Sequence, residues 1–152
     1  MARPLVIRGL LGVGALIRDS EGKWVVGCHR FIGFTTNIIA ELWALRDGLH
    51  LARQLHIDYL VLEVDALSVI SLLHNADCRN LSLRYLVTDC RILLATFQHS
   101  RLYFTSFDRC VGALAKMGNN PSSLWNFNFR TEANHLVMHL DFPFFYVQIC
   151  QC

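Results

Sequence analysis

The sequence predicts a mixed α/β fold, a mixed β-sheet with helices packed against it. Three observations carry this expectation. Two β-rich runs, "GVGALIRD" (12–19) and "KWVVGCHRFI" (23–32), flank the short Gly-containing loop "SEG", which is the signature of a hairpin. "TTNIIAELWALRDGLHLARQL" (35–55) places Ile38, Leu42, Leu45, Leu49 and Ala52 at spacings of four and three, a single apolar stripe on a helix. "DYLVLEVD" (58–65) is apolar on both parities, as in a central strand covered on both faces, and helical patterns follow it.

Taken in order, "PLVIR" (4–8) can supply a short strand ahead of the hairpin. Thr36 or Asn37 can cap the long helix, because their side chains accept from its first free N–H groups. Glu41 lies three residues after Ile38 and four before Leu45, which sets it at the edge of the buried stripe. Glu63 and Asp65 share a parity and so point to one face of their strand. A helix over 66–74 carries Ala66, Val69, Ile70 and Leu73 on one side, and a further helix covers 82–97. "RLYFTSF" (101–107) reads as a last strand, and "RCVGALAKMG" (109–118) as a short closing helix stopped by Gly118. From Asn119 onward, turn residues give way to dense aromatics without a clean period. That stretch can cover the core, form a patch for a protein partner, or lack order.

Composition narrows the classes. A chain of 152 residues is sized for one domain with a real core, and 17% charged residues is too few for a disordered chain. The net charge of +2 neither demands nor excludes nucleic acid. Six cysteines are scattered without a C-x2-C pair, so they read as reduced thiols of an intracellular protein rather than a zinc site or a disulfide framework. The N-terminus, with Arg3, Arg8 and an apolar stretch, mimics a targeting segment, but it runs straight into the hairpin turn and reads as folded chain. No segment reaches the ~20 apolar residues a membrane helix needs.

Read singly, Asp65 is a helix cap at a strand-to-helix junction and Glu41 a partly solvated helix glutamate. Read together, they are a carboxylate on a helix and a carboxylate at the end of a central strand. Ligand sites of α/β sheets gather at such strand ends.

The stretches "GVGALIRDSEGKW", "AELWALRDGLHLA", "LEVDALSVISLL" and "ALAKMG" together resemble the plant reverse-transcriptase-like ribonuclease H domain of the type-1 RNase H family. The resemblance covers about 6–118 and leaves 119–152 as an aromatic tail of unassigned role. It implies a five-stranded mixed sheet, with the first strand cut short here. It also implies a retroelement-related domain that binds RNA–DNA hybrids and cuts the RNA strand with two Mg2+ ions. The ions sit about 4 Å apart, one to activate water and one to stabilise the leaving oxygen, and they need several hard oxygen ligands.

In the family these ligands come in the order Asp, Glu, Asp, Asp. Position by position, the family glutamate falls on Glu41 and the second aspartate on Asp65. The first aspartate, of an opening "NxDG" strand, falls on Arg8 in "VIRG", and the last falls on Gly112, fixed by "ALAK". Asp108 stands four residues before the required place. No histidine matches the bacterial catalytic one, since His99 comes too early.

The resemblance thus implies a nuclease site with two of four acids, weak or lost Mg2+ binding, and Arg8 available to pair with Glu41 and Asp65 in place of a metal. "TTN" resembles the family stretch that contacts the hybrid backbone, so Thr35, Thr36 and Asn37 read either as nucleic-acid contacts or as a plain helix cap. Three functions follow. The first is a hybrid-binding domain with cleavage impaired or absent, the second a non-enzymatic protein-interaction module using the tail, and the third an active nuclease whose missing ligands come from a partner or from an alternative gene model.

Overall fold

The structure, a computed structural model, describes residues 8–64, 66–75, 78–104, 126–129 and 144–151. Strands β1 (Arg8–Arg18) and β2 (Trp24–Thr36) form the predicted hairpin, paired antiparallel from Arg8↔Thr36 to Arg18↔Trp24. Asp19 builds the turn. Its Oδ1 accepts from the Glu21 and Lys23 N–H groups at 2.9 and 2.8 Å, and Gly22 supplies the positive φ of 81°. Of the "PLVIR" segment, Arg8 opens β1, and 4–7 lie outside the described residues.

Helix α1 (Asn37–Gln54) follows β2 directly, then strand β3 (Tyr59–Val64), helices α2 (Leu67–His74) and α3 (Leu81–Ala95), and strand β4 (His99–Phe104). The expected closing helix at 109–118 lies outside the described residues. Within the aromatic tail, two stretches are strands of the same sheet, β5 (Asn126–Phe129) and β6 (Phe144–Gln151). The described sheet therefore has six strands rather than five, in the order β4-β3-β6-β1-β2-β5.

The position of β6 organises the sheet. It runs antiparallel to β1 (Val13↔Gln151 to Arg18↔Tyr146) and parallel to β3 (Tyr59↔Phe144 to Val64↔Ile149). Among the described residues, no backbone ladder other than that of β6 joins β5-β2-β1 to β3-β4. Its Phe145 and Val147 are fully buried in the core. The run "FFYVQIC" is apolar on both parities for the same reason as β3, since both are interior strands.

Helix α1 packs over β1, β6 and β2, with α3 against its flank. Its buried arc covers more than half the circumference. At 3.6 residues per turn, the arc runs from Asp47 through Ala40, Leu51, Ala44, Gly48 and Glu41 to Leu45, Leu49 and Leu42. The small residues Ala40, Ala44 and Gly48 allow close approach and widen the buried face beyond the predicted stripe. Arg91 of α3 closes α2. Its guanidinium donates to the carbonyls of Leu73 (3.1 Å), Leu72 (2.6 Å) and Asn75, a cation placed where the helix leaves its last acceptors open. Among the described residues, no helix is long and apolar enough to cross a membrane.

Candidate active site

The site is built where β2 runs into α1. Thr36 is the N-cap of α1, in extended conformation (φ −87°, ψ 156°), and its Oγ1 accepts from the Ile39 N–H at 3.4 Å. The cap reading of Thr36 therefore holds, while Thr35 and Asn37 flank it half-buried. Arg8 pairs in register with Thr36 and Gly9 with Thr35, so the start of β1 lies beside the start of α1.

Glu41 sits one turn into the helix and is 3% exposed. It lies near the middle of the buried arc, not at its edge. The predicted stripe followed the large residues and missed the side of α1 made apolar by Ala40, Ala44 and Gly48. Glu41 thus faces the packed interior between α1 and the sheet.

Asp65, Gly112 and Asp108 lie outside the described residues. Glu63 is half-buried on β3, level with Gln148 of β6 and Tyr103 of β4. Across β6, Val64 is level through Ile149 with Ala15 of β1. Arg8 lies seven residues further along β1, on the order of 20 Å of strand. The register thus gives Arg8 to the α1 start and gives the lane beside the end of β3 to β6. There Cys150 follows Ile149 and pairs with Gly14. His99 pairs with Tyr59 at the other end of β3 and stacks on its ring (centroids 5.1 Å apart, planes at 21°).

A second polar group lies on the flank of α1. Asp47 is 2% exposed, and the Arg30 guanidinium of β2 donates to its Oδ2 at 2.8 Å. Its Oδ1 is buried with no hydrogen-bond partner among the described residues. Burial pushes the Asp47 carboxyl up to about 7, against the opposing pull of Arg30 and then Arg46. Arg30 and Arg46 both lie over the Trp43 ring, at 5.1 and 5.3 Å from its centroid, and Arg46 reaches Asp89 of α3 at 3.5 Å. Burial, assisted by Arg46, lowers the His50 pKa. Burial pushes the Cys28 thiol up, Asp47 adding to it, and raises Cys90 to about 12, so these thiols stay protonated and inert. Sequence reading missed this group because Arg30 and Asp47 lie seventeen residues apart on different elements.

Among the described residues, no three His, Cys, Asp or Glu side chains converge to hold a metal ion. Of the positions that the resemblance assigns to the acid set, Asp65 and Gly112 lie outside the described residues.

This mixed sheet, its antiparallel opening hairpin and the glutamate helix laid across it define an RNase H-like domain. The family model described as "Reverse transcriptase-like" matches residues 7–118, and the chain belongs to that family. Among solved structures it is similar to RNase H1 from the halophilic archaeon Halobacterium salinarum. The identity is 27% and the TM-score 0.66, over 78% of this chain and 90% of that one. It shares its fold with the N-terminal RNase H domain of a Mycobacterium tuberculosis protein, solved fused to maltose-binding protein. Here the identity is 22% and the TM-score 0.67, over 74% of this chain and 84% of that one. No curated protein matches the sequence.

Proposed function

We propose that the chain binds RNA–DNA hybrid duplexes at the β2–α1 junction and that its ability to cut them is impaired. The observation that carries the binding half is the junction itself. There, Thr35, Thr36 and Asn37 sit at the amide end of α1, with the start of β1 alongside. The first turn of α1 contains no acid, so nothing there opposes a phosphate. Family membership and the likeness to an RNase H1 support the choice of hybrid as ligand.

The cutting half rests on the missing acids. Glu41 and Asp65 stand where the family has acids, while Gly112 replaces the last aspartate. By register, the lane beside the β3 end is held by Ile149 and Cys150, neither a carboxylate. Any Mg2+ bound by two acids is held weakly, since two closely spaced divalent ions need more anionic oxygen than that. The tail as a protein-interaction surface has less support, because Phe145 and Val147 are committed to the core.

Two measurements test the reading. Hybrid binding should weaken steeply with salt as counterions are released, and salt-independent binding would sink the nucleic-acid reading. The natural chain should cut a hybrid far more slowly than a Cys150→Asp, Gly112→Asp double variant. If its rate in Mg2+ matches that of the double variant, the impaired-site reading fails.

A further inference from the structure

Phe34 is 73% exposed near the end of β2, just before the candidate interface. A β-bulge presents it. Leu11 pairs with Gly33 and Gly12 with Phe31, so Ile32 is the extra residue, and Gly33 takes a φ of 92° that L side chains rarely adopt. No atom crowds a Cβ at Gly33 closer than 3.9 Å, so the glycine is required by conformation and not by space. Bulges of this kind re-aim the side chains beside them.

Thr35, Thr36 and Asn37 come next, so a flat apolar ring and the amide end of a helix follow each other within about 10 Å of chain. That pairing matches a nucleotide, with its flat base and anionic phosphate. It matches a protein surface less well. Among the described residues the other exposed large apolar side chains lie elsewhere, Leu67 on α2, Leu81, Tyr85 and Ile92 on α3 and Tyr103 on β4, and the three residues after Phe34 are polar.

We propose that Phe34 is a base-stacking residue and that the site prefers hybrids carrying an unpaired nucleotide next to the duplex. The proposal rests on the hybrid-binding reading above. Inside a continuous duplex both faces of each base are already stacked. A protein ring can cover a base only where the stack ends, at a single-stranded extension or junction, and such stacking is tolerant of base identity.

The test compares affinity for a blunt RNA–DNA hybrid and for the same hybrid with a short single-stranded extension, at several salt concentrations. The wild-type chain should favour the extended hybrid by about ten-fold, the range expected of one stacked base. Phe34→Ala and Phe34→Leu should bring the ratio to about one, and Phe34→Trp, which keeps a flat face, should retain it. A wild-type ratio near one, or a preference that survives Phe34→Ala or Phe34→Leu, overturns the stacking role while hybrid binding stands. Loss of salt-dependent binding to both ligands in the wild-type chain overturns the proposed function and the stacking role with it.

Discussion

Asp47→Asn is the most informative single change to the scaffold, because two physical expectations for it differ in sign. If the Arg30–Asp47 pair stabilises the fold, removing the charge costs stability at neutral pH. If burial dominates, removing the charge helps. The structure favours burial. Asp47 is 2% exposed, its Oδ1 lacks a described partner, and its carboxyl is raised from 3.8 to about 7 with Arg30 already counted. A group whose folded pKa lies above its unfolded value contributes most when protonated in both states. That contribution is lost as pH rises from the unfolded value to the folded one. Three units at 1.36 kcal/mol each give a swing on the order of 4 kcal/mol between about pH 4 and pH 7.5.

Asparagine is close in shape to the protonated carboxyl, so the two chains should be similarly stable at about pH 4. At pH 8 the variant should lead by about 3 kcal/mol. Urea unfolding followed by circular dichroism at a series of pH values measures this difference directly. Other titrations, those of His29 and His50 included, are common to both chains and largely cancel. The groups that interact with Asp47, namely Arg30, Arg46, Cys28 and Cys90, leave a small residual coupling. A pH-independent difference, or a wild-type chain that outlasts the variant at pH 8, would refute the reasoning and make the pair a net stabiliser.

Three further changes probe separate parts of the fold. Arg91→Met keeps the stem but leaves the α2 carbonyls without their donor, so it should cost about 2 kcal/mol and speed amide exchange at the end of α2. His56 holds a φ of 55° between α1 and β3, where glycine carries no penalty, so His56→Gly should stabilise by about 0.5–1 kcal/mol in urea unfolding. Phe145→Ala empties the middle of the strand that joins the two halves of the sheet. It should cost about 3–5 kcal/mol, and a cost below 1 kcal/mol would argue against β6 in that lane.

The elements legible in the sequence are those fixed by local chemistry. The Asp19 turn, the Thr36 cap and the heavy residues of α1 all announce themselves within a few residues. What stayed hidden depends on partners far along the chain. The burial of Asp47 requires Arg30 from β2, and the burial of Glu41 requires the sheet that α1 packs over. In the tail, "FFYVQIC" carries the same two-parity apolar run as β3, but its place between β1 and β3 is a matter of long-range pairing that no local pattern records.

That placement bears directly on the candidate site. Aligning "VIRG" with the family's opening strand gives Arg8 the position of the first aspartate, yet the register sets Arg8 opposite Thr36, seven residues from the strand level of Val64. A carboxylate restored at residue 8 therefore enters beside the α1 cap, and one restored at residue 150 enters beside the end of β3. The two substitutions, each combined with Gly112→Asp, give a direct reading of which strand owns that lane. If Arg8→Asp raises Mg2+-dependent cleavage and Cys150→Asp does not, β1 and not β6 lines the end of β3. The register predicts the reverse, because metal ligands must meet within a few ångströms and β6, not β1, runs beside β3.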